Sequence, residues 1–252
     1  MHPDWITPKW PAPAQVRAVC TTRAGGRSQA PYDSLNLGDH VGDDPLAVGA
    51  NRALLAQALD ARPVFLQQIH GRDIVSLDRH TPHGTPGDAC HTRQRGVACT
   101  IMIADCLPLL YTDARGSFVA AAHAGWRGLA GADGVGVLET LQAALGEPGS
   151  HVMVWLGPCI GPQAFEVGSE VRAAFVAHDG RAASCFEPAH EAGKWLADLP
   201  SLARQRLQAL GITQVYGNDG GAGWCTATQA SRFFSHRRDR VSGRLAACIW
   251  LT

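Results

Sequence analysis

The chain has 252 residues, of which 46% are hydrophobic and 17% charged, and its 22 Lys and Arg balance 22 Asp and Glu. The apolar fraction excludes a disordered chain, and the length is sufficient for one domain with a sizeable core. A formal net charge of zero gives no support to a nucleic-acid partner or an anionic-membrane partner.

Short apolar runs predict strands, and stretches with helical periodicity predict helices. The predicted strands cover 16–21, 63–69, 97–103, 107–111, 118–122, 152–156, 212–216 and 245–251. The predicted helices run from Asp44 and Pro45 to about Asp60, over 134–145 with Gly146 after it, over 169–177 and over 200–210. Neither strict β-α alternation nor a G-x-G-x-x-G turn is present, which disfavours a Rossmann domain. We expect an α+β fold in a single domain over 1–252, with a mixed β-sheet flanked by helices.

Two long segments, 22–43 and 78–96, show little periodicity and are rich in Gly, Pro, Asp and His. Loops of that length in a compact domain are usually functional or mobile, so these two are candidate loops around a site.

The eight cysteines include no C-x-x-C pair, which argues against a zinc ribbon and against a thioredoxin-type redox site. The first ten residues lack a secretory pattern, and no apolar run approaches the ~20 residues that cross a bilayer. We therefore expect a soluble cytoplasmic protein with reduced thiols, no membrane partner and a monomeric state.

Three polar residues lie at the ends of predicted strands, beside small residues that leave space. His70 follows the strand at 63–69, Cys106 lies between two apolar runs, and His123 follows 118–122. Strand ends that meet at a sheet edge often assemble a site from distant parts of the sequence.

Two chemistries could use these three side chains. Two imidazoles and a thiolate can bind zinc and leave a fourth position open, as a catalytic zinc site requires. Alternatively, His123 could activate Cys106 as a nucleophile without any metal. The separations of 36 and 17 residues form no local ligand pattern, so a buried thiol beside two hydrogen-bonded core histidines stays equally open.

Three further motifs are weaker candidates for a functional site. Cys159, in a Gly- and Pro-rich turn, is expected to be structural. The glycine-rich segment 23–28 is either an anion cradle or a plain turn. The basic and aromatic tract 232–240, with Arg244, could bind phosphate or single-stranded nucleic acid, but a neutral chain favours an internally paired arginine cluster.

Ten motifs, spread in order over nearly the whole chain, match the pattern of a known family. They are TRAGGRS at 22–28, SLNLGDHVGDD at 34–44, NR at 51–52, QQIHG at 67–71, ADCLP at 104–108, HAGWRG at 123–128, GPCIG at 157–161, FEVG at 165–168, CT at 225–226 and FFSHRR at 233–238. The chain thereby resembles the YfiH-type family, once called laccase-like or multicopper polyphenol oxidase. Its members include purine nucleoside phosphorylases and the bacterial peptidoglycan editing factor.

The resemblance implies a zinc-dependent enzyme, with copper as the alternative metal, whose ligands are His70, Cys106 and His123. It implies that phosphate cleaves the N-glycosidic bond of adenosine, inosine or S-methyl-5′-thioadenosine, and that adenosine is also deaminated in some members. The expected partners are therefore small molecules, a purine nucleoside and phosphate. Multicopper oxidation typically uses H-x-H pairs, and none occurs among the eleven histidines, so laccase activity is not expected.

The remaining roles are hypotheses that follow from this resemblance. The predicted catalytic residues are His70, Cys106, His123, Arg127 and Asp88, and the predicted substrate-binding residues are Arg23, Asn36, Arg52 and Asp105. Arg127 is expected to contact an anion, and Asp88 or Asp105 to act as acid, base or partner of a ligand imidazole. One departure from the family pattern, Cys90-His91-Thr92, puts a thiol and an imidazole near the presumed pocket.

Two rival functions stay open. A Cys106/His123 hydrolase that removes a wrongly incorporated amino acid from a cell-wall precursor would keep its activity after chelation of metals. A non-enzymatic, metal-stabilised binding domain would show high metal occupancy without turnover.

Overall fold

Within residues 2–252, which the computed structural model describes, thirteen strands form three sheets. The four-stranded sheet has the order β1 (Val16–Cys20), β13 (Leu245–Leu251), β5 (Val97–Ile103) and β2 (Arg62–Phe65). The six-stranded sheet has the order β12 (Gln214–Gly217), β8 (Val152–Leu156), β6 (Leu107–Asp113), β7 (Val119–Ala124), β4 (Ala89–Thr92) and β3 (Ile74–Ser76). The three-stranded sheet has the order β10 (Phe186–Pro188), β11 (Lys194–Ala197) and β9 (Glu166–Gly168). Both larger sheets contain parallel and antiparallel pairs.

Within the described residues the chain forms six α-helices. They are α1 (Pro45–Leu59), α2 (Trp126–Ala130), α3 (Val137–Leu145), α4 (Ser169–Val176), α5 (Leu199–Ala209) and α6 (His236–Asp239). Short 3-10 turns lie at Gly149–His151, Gly180–Cys185 and Ala222–Trp224. Among the described helices, none has both the length and the apolar character needed to cross a membrane.

The core has layers because alternate residues of a strand point to opposite faces of its sheet. On β7, Val119 and Ala121 pack between the two larger sheets, whereas Ala120, Ala122 and Ala124 belong to the apolar cluster on the other face, where β7 contacts α2 and α3. The outer face of the four-stranded sheet packs against α1 through a third apolar cluster. The layers are therefore helix, sheet, sheet and helices.

The α+β class predicted from the sequence is confirmed, as is the start of the first helix. The Asp44 side chain accepts a hydrogen bond from the Leu46 backbone N–H at 3.0 Å, and Pro45 is the first helical residue. The helix predicted over 134–145 begins later, at Val137, and ends before Gly146, which adopts the left-handed conformation at φ 65°.

The arrangement of the strands differs from the expectation in two respects. The strands form two stacked mixed sheets and a small third one, instead of a single sheet. Every residue of β5 and β6 is buried, so no hydrophobic alternation marks which sheet each strand joins. The segment 78–96, expected to be a loop, contains β4, which pairs with β7.

Candidate active site

Three elements bring His70, Cys106 and His123 together at one end of the six-stranded sheet. His70 lies in the loop after β2, Cys106 lies where the chain crosses from β5 to β6, and His123 lies near the end of β7. Their candidate ligand atoms all lie within 4.8 Å of one another. The two imidazole ring centroids are 4.8 Å apart with an interplanar angle of 71°. The convergence predicted from the strand ends is therefore present.

The donor set fits a divalent transition metal. Cys106 Sγ lies 3.7 Å from His70 Nε2. A sulfur and a nitrogen bound to one tetrahedral zinc ion lie about 3.5 Å apart, from bond lengths of about 2.3 and 2.0 Å. A Cβ atom added at Gly125 would lie only 2.9 Å from Cys106 Sγ and 3.0 Å from His70 Cδ2. Glycine at this position therefore keeps the space around the three donors free.

Asp88 holds two of the three candidate ligands in place. Its side chain is fully buried, and its carboxylate accepts the backbone N–H groups of Ile69, His70 and Gly71 at 3.1, 2.9 and 2.7 Å. The same carboxylate lies 2.8 Å from Nδ1 of His123. Because an ionised carboxylate can only accept, Nδ1 carries the proton and Nε2 is left free for a metal.

Two further contacts fix the loop that carries His70. The amide of Gln68 donates to the Met102 carbonyl and accepts from the Met102 N–H, each at 2.8 Å, which ties the loop to β5. His70 itself has φ 61°, in the left-handed region that residues other than glycine seldom adopt. Strain of this kind persists only where the surroundings fix the backbone, and the Asp88 contacts do so here.

Cys106 and His123 form a charged pair in the metal-free site. Burial opposes ionisation of the Cys106 thiol, but the charge and hydrogen bond of His123, with His70, outweigh it and lower the pKa of Cys106 to about 6. Burial likewise opposes protonation of His123, but the Cys106 thiolate and Asp88 raise the pKa of His123 to about 9. Metal binding at neutral pH would therefore release the proton of His123 and not that of Cys106.

Cys106 of the metal-free protein should react with iodoacetamide with a midpoint near pH 6, because the thiolate is the reactive form. Peptide mass spectrometry across pH 4 to 9 would measure the labelled fraction. Cys20, Cys99 and Cys248 are the internal controls, since their side chains are buried and burial raises the pKa of each thiol. Saturating zinc should block the labelling, and a midpoint near the ordinary value of about 8.5 would contradict the charged pair.

The three candidate ligands open onto a cavity of about 430 Å³. It is lined by His40, Gln68, His70, Met102, Ala104, Asp105, Cys106, His123, Ile160, Phe165, His236, Arg237, Arg240 and Arg244. This lining combines the triad with apolar side chains and with three arginines and two further histidines. A metal, an apolar ring and an anion could therefore be held in one cavity.

Asp105 connects the metal side of the cavity to its basic side. One carboxylate oxygen accepts the Thr226 hydroxyl at 2.6 Å, and the other accepts the Arg237 backbone N–H at 2.7 Å. Asp105 precedes Cys106 directly and has φ 89°. Both oxygens have protein partners, so Asp105 fixes the start of α6 relative to Cys106.

Besides Asp88, four predicted site residues lie outside the cavity lining. Arg127 is exposed on α2, with its guanidinium 4.5 Å from the Trp126 ring centroid. Arg23 pairs with Asp33 at 3.2 Å, and Arg52 pairs with Asp39 at 3.1 Å. Asn36 is fully buried and accepts the Arg244 backbone N–H at 2.8 Å. The placement corrects the expectation of direct anion or substrate contact and gives these four residues packing and positioning contacts instead.

The arginines that line the cavity belong to the tract 232–240 with Arg244. The sequence favours an internally paired arginine cluster for this tract. That interpretation fits Arg238, which pairs with Asp239 at 2.7 Å. It is wrong for Arg237, Arg240 and Arg244, since none of them forms an ion pair within residues 2–252 and all three line the cavity. Their close spacing was the available signal, but spacing alone could not show which of the arginines lack a carboxylate partner.

Two other cysteine motifs lie away from the chemistry. Cys90 is buried in the core between the larger sheets, and neither it nor its neighbour His91 lines the cavity. This departure therefore adds neither its thiol nor its imidazole to the cavity lining, because residues 89–92 form β4. Cys159 is buried, and its thiol lies 3.4 Å from the Asn218 amide, a structural contact as expected.

Comparisons with known proteins support the resemblance. A family model described as multi-copper polyphenol oxidoreductase laccase matches residues 17–252. A Pseudomonas aeruginosa protein named as a purine nucleoside phosphorylase is 53% identical over 247 residues, with 98% of each chain covered. The Escherichia coli purine nucleoside phosphorylase YfiH is 46% identical over 248 residues, again with 98% of each chain covered. A solved Neisseria meningitidis protein superimposes with a TM-score of 0.92 at 46% identity, covering 98% of this chain and 99% of that one.

Proposed function

The chain belongs to the multi-copper polyphenol oxidoreductase laccase family, also called YfiH-type, and from this premise we propose that it is a metal-dependent purine nucleoside phosphorylase. In the proposed reaction a phosphate oxygen forms a bond to C1′ of the ribose as the C1′–N bond breaks. The bonding electrons leave with the purine, whose nitrogen takes up a proton. The products are a free purine and ribose 1-phosphate, or 5-methylthioribose 1-phosphate from S-methyl-5′-thioadenosine. The proposed substrates are adenosine, inosine and S-methyl-5′-thioadenosine.

A single observation carries the proposal: the metal-binding triad and an unpaired group of arginines share one cavity of nucleoside size. At about 430 Å³, the cavity lies within the range of small-molecule sites. Met102, Ile160 and Phe165 supply apolar surface for a purine ring. The arginines supply the positive charge that a phosphate requires.

In the proposed function, some residues of the cavity bind the metal and others orient the groups that bind. His70, Cys106 and His123 would hold zinc, which when bound supplies a Lewis acid at this end of the cavity. Asp88 holds one proton of His123 at Nδ1, so that Nε2 is the nitrogen available to the metal. Asp105 fixes the start of α6, and the basic side chains of Arg237, Arg240 and Arg244 line the same cavity as the triad.

The family description mentions copper and laccase activity, but the ligand groups do not support a multicopper centre. Among the residues that the structure describes, His70, Cys106 and His123 form the one cluster of three or more His, Cys, Asp or Glu suited to a metal. A multicopper oxidase needs several copper ions with histidines bridging them. We therefore do not propose laccase activity.

The lowered pKa of Cys106 favours one second candidate, a Cys106/His123 hydrolase acting on a cell-wall precursor. A thiolate beside a protonated histidine is the form that attacks a carbonyl carbon. Cys106 also contacts a second imidazole, that of His70, with Sγ 3.7 Å from Nε2. This contact favours the metal site, because a nucleophilic cysteine needs only one imidazole as its base.

Product analysis by chromatography separates these functions. With zinc-loaded protein, adenosine and phosphate, we expect adenine and ribose 1-phosphate, and exhaustive chelation should abolish their formation until zinc is restored. Inosine as the product would indicate deamination as a further activity of the same site. Full phosphorolysis without metal, or no reaction on all three nucleosides, would contradict the proposal.

The hydrolase is tested with the same zinc-loaded and chelated protein. Activity on a cell-wall precursor that survives chelation, together with a covalent adduct on Cys106 in the mass spectrum, would establish the second candidate in place of the first.

A further inference from the structure

We propose that Arg240 and Arg244 form the subsite that binds inorganic phosphate in the cavity. This inference rests on the proposed phosphorolysis and assigns its second substrate to side chains that neither the family pattern nor the relatives' names identify.

The cavity lining is short of negative charge. Arg237, Arg240 and Arg244 line it, and Asp105 is the one carboxylate among its lining residues. Both oxygens of Asp105 are already engaged, by the Thr226 hydroxyl and the Arg237 backbone N–H. Guanidinium groups without carboxylate partners that face a shared cavity form a site for an external anion.

Arg244 is held in a fixed orientation by its own backbone surroundings. Its Nη1 donates to the carbonyls of Ser242 and Gly243 at 2.8 and 3.1 Å, and its backbone N–H donates to Asn36. Within residues 2–252, its Nε and Nη2 have no protein acceptor. A guanidinium anchored at one nitrogen presents its remaining edge with little loss of side-chain entropy, which suits bidentate binding of a phosphate.

Arg240 reaches the cavity from a strained backbone position. It follows α6 with φ 61° and ψ −58°, and its N–H donates to the His236 carbonyl at 2.9 Å. An arginine seldom adopts this conformation, and such strain clusters at ligand sites. In the described part of the chain its side chain makes no hydrogen bond or ion pair, so its donors remain available.

Arg237 adds charge but is less available. Its Nη1 donates to the Glu166 carbonyl at 2.9 Å, and its guanidinium lies 5.4 Å from the Phe165 ring centroid. We therefore assign it to the wall that supports Phe165, and assign phosphate binding to Arg240 and Arg244.

The anion that these groups bind could come from inorganic phosphate or from the 5′-phosphate of a nucleotide. We assign inorganic phosphate, because the metal triad faces the same cavity and a phosphorylase needs the attacking phosphate beside the nucleoside. A nucleotide would carry its phosphate on the ribose and leave no separate attacking group.

Direct binding is measured on zinc-loaded protein without nucleoside, by calorimetry with inorganic phosphate and with adenosine 5′-monophosphate at constant ionic strength. We expect Arg240→Met and Arg244→Met each to weaken phosphate binding at least tenfold, the loss expected for a hydrogen bond to a charged group. Arg79→Met is the matched control, since Arg79 is exposed on another surface and does not line the cavity. Its phosphate affinity should equal that of the unchanged protein.

Steady-state kinetics adds a second readout. In both arginine variants the KM for phosphate should rise at least tenfold while the KM for the nucleoside changes less than threefold, and Arg240→Lys should recover part of the loss. Arg240→Met keeps the experiment decisive if Arg244→Met fails to fold, because Arg240 is exposed and its side chain makes no hydrogen bond or ion pair within residues 2–252.

The outcomes separate the subsite from the proposed function. Unchanged phosphate binding in Arg240→Met would overturn the inference even if phosphorolysis is observed. Loss of phosphate binding in a protein that never performs phosphorolysis would keep the subsite and reject the proposed function. Tight binding of adenosine 5′-monophosphate with no saturable binding of inorganic phosphate would overturn the assignment of the ligand.

Discussion

Replacing His123 with alanine should abolish phosphorolysis and lower zinc affinity by more than about 100-fold, beyond the loss usual for an outer hydrogen-bond partner. The change removes one of three clustered donors and leaves the Asp88 carboxylate buried without the imidazole it accepts from. Two protein donors hold zinc far less tightly than three. Zinc content after dialysis against a chelator of known affinity, together with product formation, measures both effects.

The matched control for this variant is His91→Ala. His91 lies on β4, next to β7 in the same sheet, but it does not line the cavity. Its replacement should leave zinc affinity and turnover unchanged. A fully active His123→Ala protein with normal zinc content would remove the triad from the proposed function.

His70, Cys106 and His123 could be identified from the sequence as residues at strand ends. Each is a polar residue that follows an apolar run and lies beside small residues. The spacing could not show that they converge, since Cys106 lies on the crossing between two sheets. Which strands share a sheet depends on long-range pairing, and the fully buried β5 and β6 carry no alternation that could indicate it.

The arginines that line the cavity differ from those predicted to contact an anion. Arg127 belongs to the family motif at 123–128, but α2 is too short to show helical periodicity, and Arg127 is exposed and does not line the cavity. Arg240 and Arg244 belong to a tract in which neighbouring arginines differ in their contacts. Within residues 2–252, Arg238 forms an ion pair with Asp239, whereas Arg240 forms none. Only the three-dimensional positions of the carboxylates separate the two cases.

Asp88 was predicted as an acid, a base or a partner of a ligand imidazole, and its contacts support the last role. A fully buried carboxylate that accepts three backbone N–H groups and an imidazole has no free lone pair directed at a substrate. Burial opposes its ionisation, but the His123 contact and the backbone N–H groups outweigh burial and lower the pKa of Asp88. It is therefore a positioning residue that stays ionised.

Replacing Asp88 with asparagine should lower zinc affinity by about 10- to 100-fold and the free energy of unfolding by about 2–4 kcal/mol. The amide keeps the shape of the carboxylate but offers one acceptor oxygen to four donors, so at least one buried N–H loses its partner. Asp113→Asn is the matched control: Asp113 is also buried and accepts the Ser117 N–H at 2.7 Å and its hydroxyl at 2.8 Å, far along β6 from Cys106. It should destabilise the protein without changing zinc affinity.

The pH dependence of unfolding provides a second test of Asp88. A carboxyl with a lowered folded pKa stabilises the protein fully above its unfolded value of about 4, and this stabilisation is lost as the pH falls through the folded value. In Asp88→Asn the unfolding free energy of the metal-free protein should therefore fall less steeply below pH 4 than in the unchanged chain. Equal acid slopes, or zinc affinity that drops equally in Asp113→Asn, would show that Asp88 supports the fold without organising the metal ligands. If the zinc loss is confined to Asp88→Asn, the carboxylate couples the loop of His70 to the imidazole of His123, and one buried side chain sets the position of two of the three donors.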